Sequence, residues 1–109
     1  MESEHLNYLA KASGAISRRD YLTALQFGLR AAKVPRGYEH VRCDAYLLLA
    51  ITTLELGVPE DALAFAVGAH LAACWARDTE REQKASSVVG LVIANNPHLG
   101  PDQTKTEIH

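Results

Sequence analysis

With 109 residues, 48% hydrophobic and 22% charged, the chain is long enough for one modest core and too apolar to stay disordered. A formal net charge of −2 excludes binding driven by phosphate neutralisation, which needs a concentrated basic surface. Alanine occurs seventeen times against 6% aromatics, the makeup of closely approaching helices, because alanine is the best helix former and adds little bulk.

Period and punctuation predict five helices and no strand. From about Glu4 to Arg18, apolar Leu6, Leu9, Ala12 and Ile16 recur at helical spacing. Asp20 can cap a second helix whose Leu22, Leu25 and Leu29 form one stripe. Val34-Pro35-Arg36-Gly37 ends it, since a residue before proline is pushed out of the helical region. A third helix runs from about Tyr38 to Leu56, with Gly57 supplying a left-handed C-terminal residue. Pro59 suits the first turn of a fourth helix reaching about Arg77. Thr79-Glu80-Arg81-Glu82 reads as a capping box opening a fifth, which Asn95-Asn96-Pro97 closes. Residues 1–97 are thus one helical domain. From His98 to His109 the chain is polar and patternless, and a disordered tail is expected.

The longest strongly apolar run, Tyr46–Leu54, is broken by threonines and too short to span a bilayer. Met1-Glu2-Ser3-Glu4 is acidic and polar, without the basic and apolar segments of a secretory signal, so a cytoplasmic location is expected. Two cysteines in that compartment are expected as free thiols.

Short stretches of the chain repeat one another. Asp20-Tyr21-Leu22-Thr23-Ala24-Leu25 is matched by Glu60-Asp61-Ala62-Leu63, with the anchoring small residue moving from Ala24 to Ala62, a period of 62 − 24 = 38. A helical segment precedes each, Leu6–Ser17 and Asp44–Leu56, and Lys84–Asn95 begins a third copy that is not completed. In the second copy Tyr46, Leu49, Ala50 and Thr53 are followed by Gly57 and then Ala62, Ala66 and Ala69; in the first, Tyr8, Lys11, Ala12 and Ala15 precede Tyr21, Ala24, Gly28 and Ala31. The third keeps Val89-Gly90 and Ile93. This pattern resembles the tetratricopeptide repeat, with W-x2-L-G-x2-Y, then A-x3-F and a later Ala and Pro. Lys11, Thr53 and Ala66 depart from that signature. The resemblance implies two helical hairpins and a capping helix. The alternative is an alanine-rich bundle whose spacing is coincidental.

In such repeats the first helix of each pair lines a concave surface. The resemblance then implies an inner face of Leu6, Leu9, Ser13, Ile16 and Ser17 from the first helix and Asp44, Leu47, Ile51, Leu54 and Glu55 from the third. Lys84, Ser87, Leu91, Ala94 and Asn95 would follow from the fifth. Such a groove is aliphatic with polar margins, unlike the basic cradle that clamps an acidic peptide terminus, because only Lys84 and Asn95 are suited to that role. It suits an amphipathic helix or an apolar segment of another protein. The alternatives for the same leucines are self-association in a homodimer or burial against neighbouring helices.

No cofactor, metal or catalytic apparatus is expected. His40, Cys43, His70 and Cys74 make an H-x2-C and an H-x3-C pair that four-coordinate zinc can use, but that spacing is common on any helix face. Arg18, Arg19, Arg30, Lys33, Arg36 and Arg42 interleave with Asp20, Glu39 and Asp44, so a solvated face is expected. There is no phosphate-binding glycine loop and no nucleophile elbow. The expected function is a non-enzymatic protein-interaction module. Its size and repeat count resemble small tetratricopeptide chaperones of bacterial secretion systems, including the type III needle-subunit chaperones. The alternative is a regulatory or assembly adaptor that homodimerises through the same face.

Overall fold

The computed structural model describes residues 2–100 and is all-helical over them, with no strand. The helices are α1 (Glu2–Ser17), α2 (Tyr21–Ala31), α3 (Glu39–Glu55), α4 (Pro59–Ala76) and α5 (Thr79–Asn95), followed by a single 3-10 turn at Pro97–Leu99. The expected tail falls largely on residues 101–109, which lie outside the described part.

Three of the four connections are one device used repeatedly. Each puts one residue in the left-handed region: Arg19 at φ 60°, Gly57 at φ 80° and Arg77 at φ 54°. The next residue then donates its N–H back across the turn, from Asp20 to Ala15 O, Val58 to Thr53 O and Asp78 to Ala73 O. These bonds satisfy carbonyls that a helix end leaves unpaired, and they reverse the chain so tightly that successive helices run antiparallel. Only Gly57 advertises this geometry in the sequence, because glycine adopts a positive φ without strain and arginine does not.

Asp20 caps α2 as expected, accepting from Thr23 N at 3.3 Å. At α5 the cap lies one residue before the expected Thr79. Asp78 accepts from Arg81 N at 3.1 Å, and Thr79 is already helical. Aspartate and threonine are both good caps, and the preceding left-handed turn selects the aspartate. The connection from α2 to α3 is longer. α2 ends at Ala31, ahead of Pro35, and the guanidinium of Arg42 donates to the carbonyls of Ala32 and Val34.

α3 is the central element. It packs against α2 and α4 and also touches α1 and α5. Burial on two flanks explains its polar interior residues: Thr52 and Thr53 return their hydroxyls to the carbonyls of Leu48 and Leu49 at 2.7 and 2.8 Å, so they are buried without an unpaired donor. The small residues carry the close approaches. Ala12, Ala50 and Ala62 are fully buried, as are Ala66, Ala69 and Ala73 along α4. Gly28 of α2 leaves room for Leu49, whose side chain would lie 2.8 Å from an added Cβ. Gly90 differs. It is exposed, and among the described residues nothing lies within 4 Å of an added Cβ.

Candidate functional site

The sequence-predicted inner face comes from α1, α3 and α5, and the structure brings these three helices side by side. Leu6, Ile51 and Leu91 are exposed there, one on each helix, while Leu9, Ile16 and Leu54 are half-buried and Ser13, Lys84 and Asn95 are exposed. Two members do not serve as groove residues. Leu47 is only 7% exposed and belongs to the core cluster with Cys43, Ala69, Ala72, Ala73 and Ala85. Its position on α3 turns toward α4 and α5 rather than outward. Asp44 is occupied by Arg81 of α5, which donates to both carboxylate oxygens at 2.9 Å. Arg81 also reaches Asp78 at 2.7 Å, and these two carboxylates, Asp44 first, hold the guanidinium protonated. This region is therefore a shallow face with spaced aliphatic side chains, tied across by an ion pair.

A deeper feature lies on the other open side of α3. Arg36, Glu39, Arg42 and Tyr46 meet Gly68, Leu71, Ala72 and Trp75 of α4 around a cleft of about 550 Å³. Gly68 and Ala72 keep the floor low. A Cβ on Gly68 would lie 3.2 Å from the Tyr46 ring. Tyr46 is positioned by Phe65, with ring centroids 6.0 Å apart. On the lip, Leu71 is 56% exposed and Trp75 82% exposed. An exposed tryptophan beside an exposed leucine is unusual, since apolar side chains of this size normally gain by burial. At one end Arg36 and Arg42 face a single carboxylate, Glu39, which is turned to the N–H of Gly37 at 3.1 Å. That hydrogen bond, first among the causes, holds the Glu39 carboxyl below its usual range.

Sequence reading missed this cleft. The available signal was Leu71 and Trp75, four residues apart on one face of α4 and both exposed in the structure. The first-half basic residues Arg18, Arg19, Arg30, Lys33 and Arg36 are exposed as expected, and the Arg30 guanidinium lies over the Tyr8 and Phe27 rings at 5.9 and 5.4 Å. The His40, Cys43, His70, Cys74 quartet does not assemble. Cys43 is enclosed in the core, where burial pushes its thiol up to about 11, while Cys74 is exposed beside His70. Among the described residues one set of metal-ligating side chains does converge: His70, Cys74 and Glu82. No helix among the described residues is long and apolar enough to cross a membrane. Comparison with protein-family models, curated proteins and solved structures finds no significant match to the chain.

Proposed function

We propose that the chain is a non-enzymatic protein-binding module, and that the cleft between α3 and α4 seats an apolar anchor on a partner helix. Trp75 carries this reading: its side chain is 82% exposed on the lip of a cleft whose floor is Tyr46, Gly68 and Ala72. Tryptophan and arginine are the residues most enriched where binding energy concentrates, and the cleft has both. Its volume fits one or two large side chains rather than a whole helix. Two guanidiniums against one carboxylate favour an acidic residue flanking that anchor.

Support for a tetratricopeptide-like origin comes from the turns. Arg19-Asp20 and Gly57-Val58, the turns within the two helix pairs, stand 57 − 19 = 38 residues apart and share a backbone geometry that Arg77-Asp78 repeats ahead of the last helix. Within that reading, a chaperone that shelters an aggregation-prone helix is the use best suited to a small module with an apolar rather than basic surface. A second reading keeps the aliphatic face of Leu6, Ile51 and Leu91 as the docking surface, for a partner helix or for a second copy of the chain, because one exposed aliphatic side chain stands on each of the three helices.

Site-specific photo-crosslinking separates the two. A crosslinking residue at Leu71 is expected to capture a partner in the native host, and one at Ile51 is not. Capture only from Ile51 transfers the site to the aliphatic face, and capture of the chain's own copy makes the protein a homodimeric adaptor. No capture from either position overturns the binding-module reading.

A further inference from the structure

α4 carries His70 and Cys74 one helical turn apart, and the first turn of α5 brings Glu82 against them. Cys74 Sγ lies 3.8 Å from His70 Nδ1, and His70 Nε2 lies 3.8 Å from Glu82 Oε1. One ligating atom from each of the three residues falls within 4.8 Å of the other two. A tetrahedral ion with bonds of about 2.0–2.3 Å holds its donor atoms about 3.3–3.8 Å apart. The side chains are thus a small rotation from that geometry.

We propose that His70, Cys74 and Glu82 form a zinc site with three protein ligands and one open coordination position. An imidazole, a thiolate and a carboxylate are together a donor set for a borderline-soft divalent ion rather than for calcium or magnesium, which take oxygen ligands. The charges also close. A thiolate and a carboxylate supply two negative charges against the two positive charges of zinc, with histidine neutral. Zinc takes the thiolate, so binding forms the sulfur–zinc bond and releases the thiol proton to solvent. His70 also borders a groove of about 200 Å³ with Val67, Ser86 and Val89, which leaves space for the ring to turn. Arg81, next to Glu82 in the chain, is committed to Asp44 and Asp78. The ligands lie on both sides of the Arg77-Asp78 turn, so the ion would clasp α4 to α5. This site is separate from the docking cleft, and neither reading depends on the other.

The test uses the tag-free, chelator-treated full chain under reducing conditions, titrated with cobalt(II) as a spectroscopic stand-in and then with zinc. One equivalent should bind, with a thiolate-to-cobalt charge-transfer absorption and tetrahedral visible bands that zinc abolishes. C74S should lose the charge-transfer absorption. H70A and E82Q should each weaken binding at least about tenfold. Circular dichroism should be unchanged in all three, since none of these side chains is in the core, and C43A should still bind. Failure to saturate at millimolar metal overturns the proposal. So does a spectrum without sulfur charge transfer, or affinity retained in both H70A and E82Q.

Discussion

The two open sides of α3 are built from similar residues and differ in what the neighbouring helices do. On one side α1 and α5 both approach α3, and what remains open is Leu6, Ile51 and Leu91 with gaps between them. Asp44, the charged residue of that strip, is tied off by Arg81. On the other side α4 contributes glycine and alanine beside Tyr46, and the backbone lies low enough for a cleft to form. A helix surface becomes a site through where its small residues fall as much as where its large ones do. In α4 the buried residues are all small, Ala62, Ala66, Ala69, Ala72 and Ala73, while Val67, Leu71 and Trp75 are exposed. That is the reverse of the usual order of size and burial.

The sharpest way to break this comparison is to substitute serine at Leu47 and, separately, at Ile51. These positions are one helical turn apart on α3, and the register expected from the tetratricopeptide resemblance puts both on the inner face. Leu47 is 7% exposed and Ile51 42%. Leu47→Ser should cost about 2–5 kcal/mol, because it leaves a cavity in the core and buries a hydroxyl there. Ile51→Ser should cost below about 1 kcal/mol. Urea denaturation measures both. Equal costs would mean that Leu47 belongs to the open face after all.

The next effect concerns the tie across the shallow face. Arg81→Met leaves Asp44 and Asp78 without their shared partner and should destabilise by roughly 1–2 kcal/mol, discounted because the guanidinium side chain is 31% exposed. Its pH dependence has a definite sign. The Arg81 side chain, first among the causes, holds the Asp78 carboxyl below its usual range in the folded protein. A depressed folded value gives stability that is present above the unfolded value of about 3.9 and lost as pH falls through the folded one. Acid titration of the wild type should show this loss, and Arg81→Met should show less of it. An unchanged acid limb would mean that the ion pair contributes nothing in solution.

The five helices were legible because their punctuation is local. Asp20, Gly57 and Pro59 each act within a turn of where they stand, and the structure uses all three as expected. The turns at Arg19 and Arg77 were not legible, because arginine gives no sign of a positive φ. The cleft was hidden for another reason. α4 from Ala62 to Ala76 is almost wholly apolar, so hydropathy cannot say which face is covered, and the answer comes from the size of the residues that α3 admits. Gly90 shows the same limit. It stands in the register of Ala12 and Ala50, yet among the described residues nothing lies within 4 Å of an added Cβ.

That contrast gives a smaller effect, of opposite direction. Gly90→Ala should stabilise by about 0.5–1 kcal/mol, since alanine restricts the unfolded chain and meets no neighbour. At Gly68 the same helical preference is opposed by the Tyr46 ring 3.2 Å from the added methyl, so Gly68→Ala should gain less and also raise the cleft floor. Thermal unfolding compares the two directly. An equal gain at both positions would show that the floor of the cleft yields easily.

The smallest stability change should accompany the largest change in function. Trp75→Ser removes a side chain that touches little of its own fold, so stability should move by no more than about 0.5 kcal/mol. Trp75 is also the only tryptophan in the chain, so its emission reports the cleft and nothing else. In the free protein that emission should be red-shifted and readily quenched by iodide. A bound partner helix should shift it to the blue and protect it. If Trp75 is already protected in the free protein, a second copy or another part of the chain covers the cleft, and the anchor on the lip is not available to a partner. If Trp75→Ser unfolds the protein instead, the residue is structural and the distinction between the two sides of α3 fails at the point where it is largest.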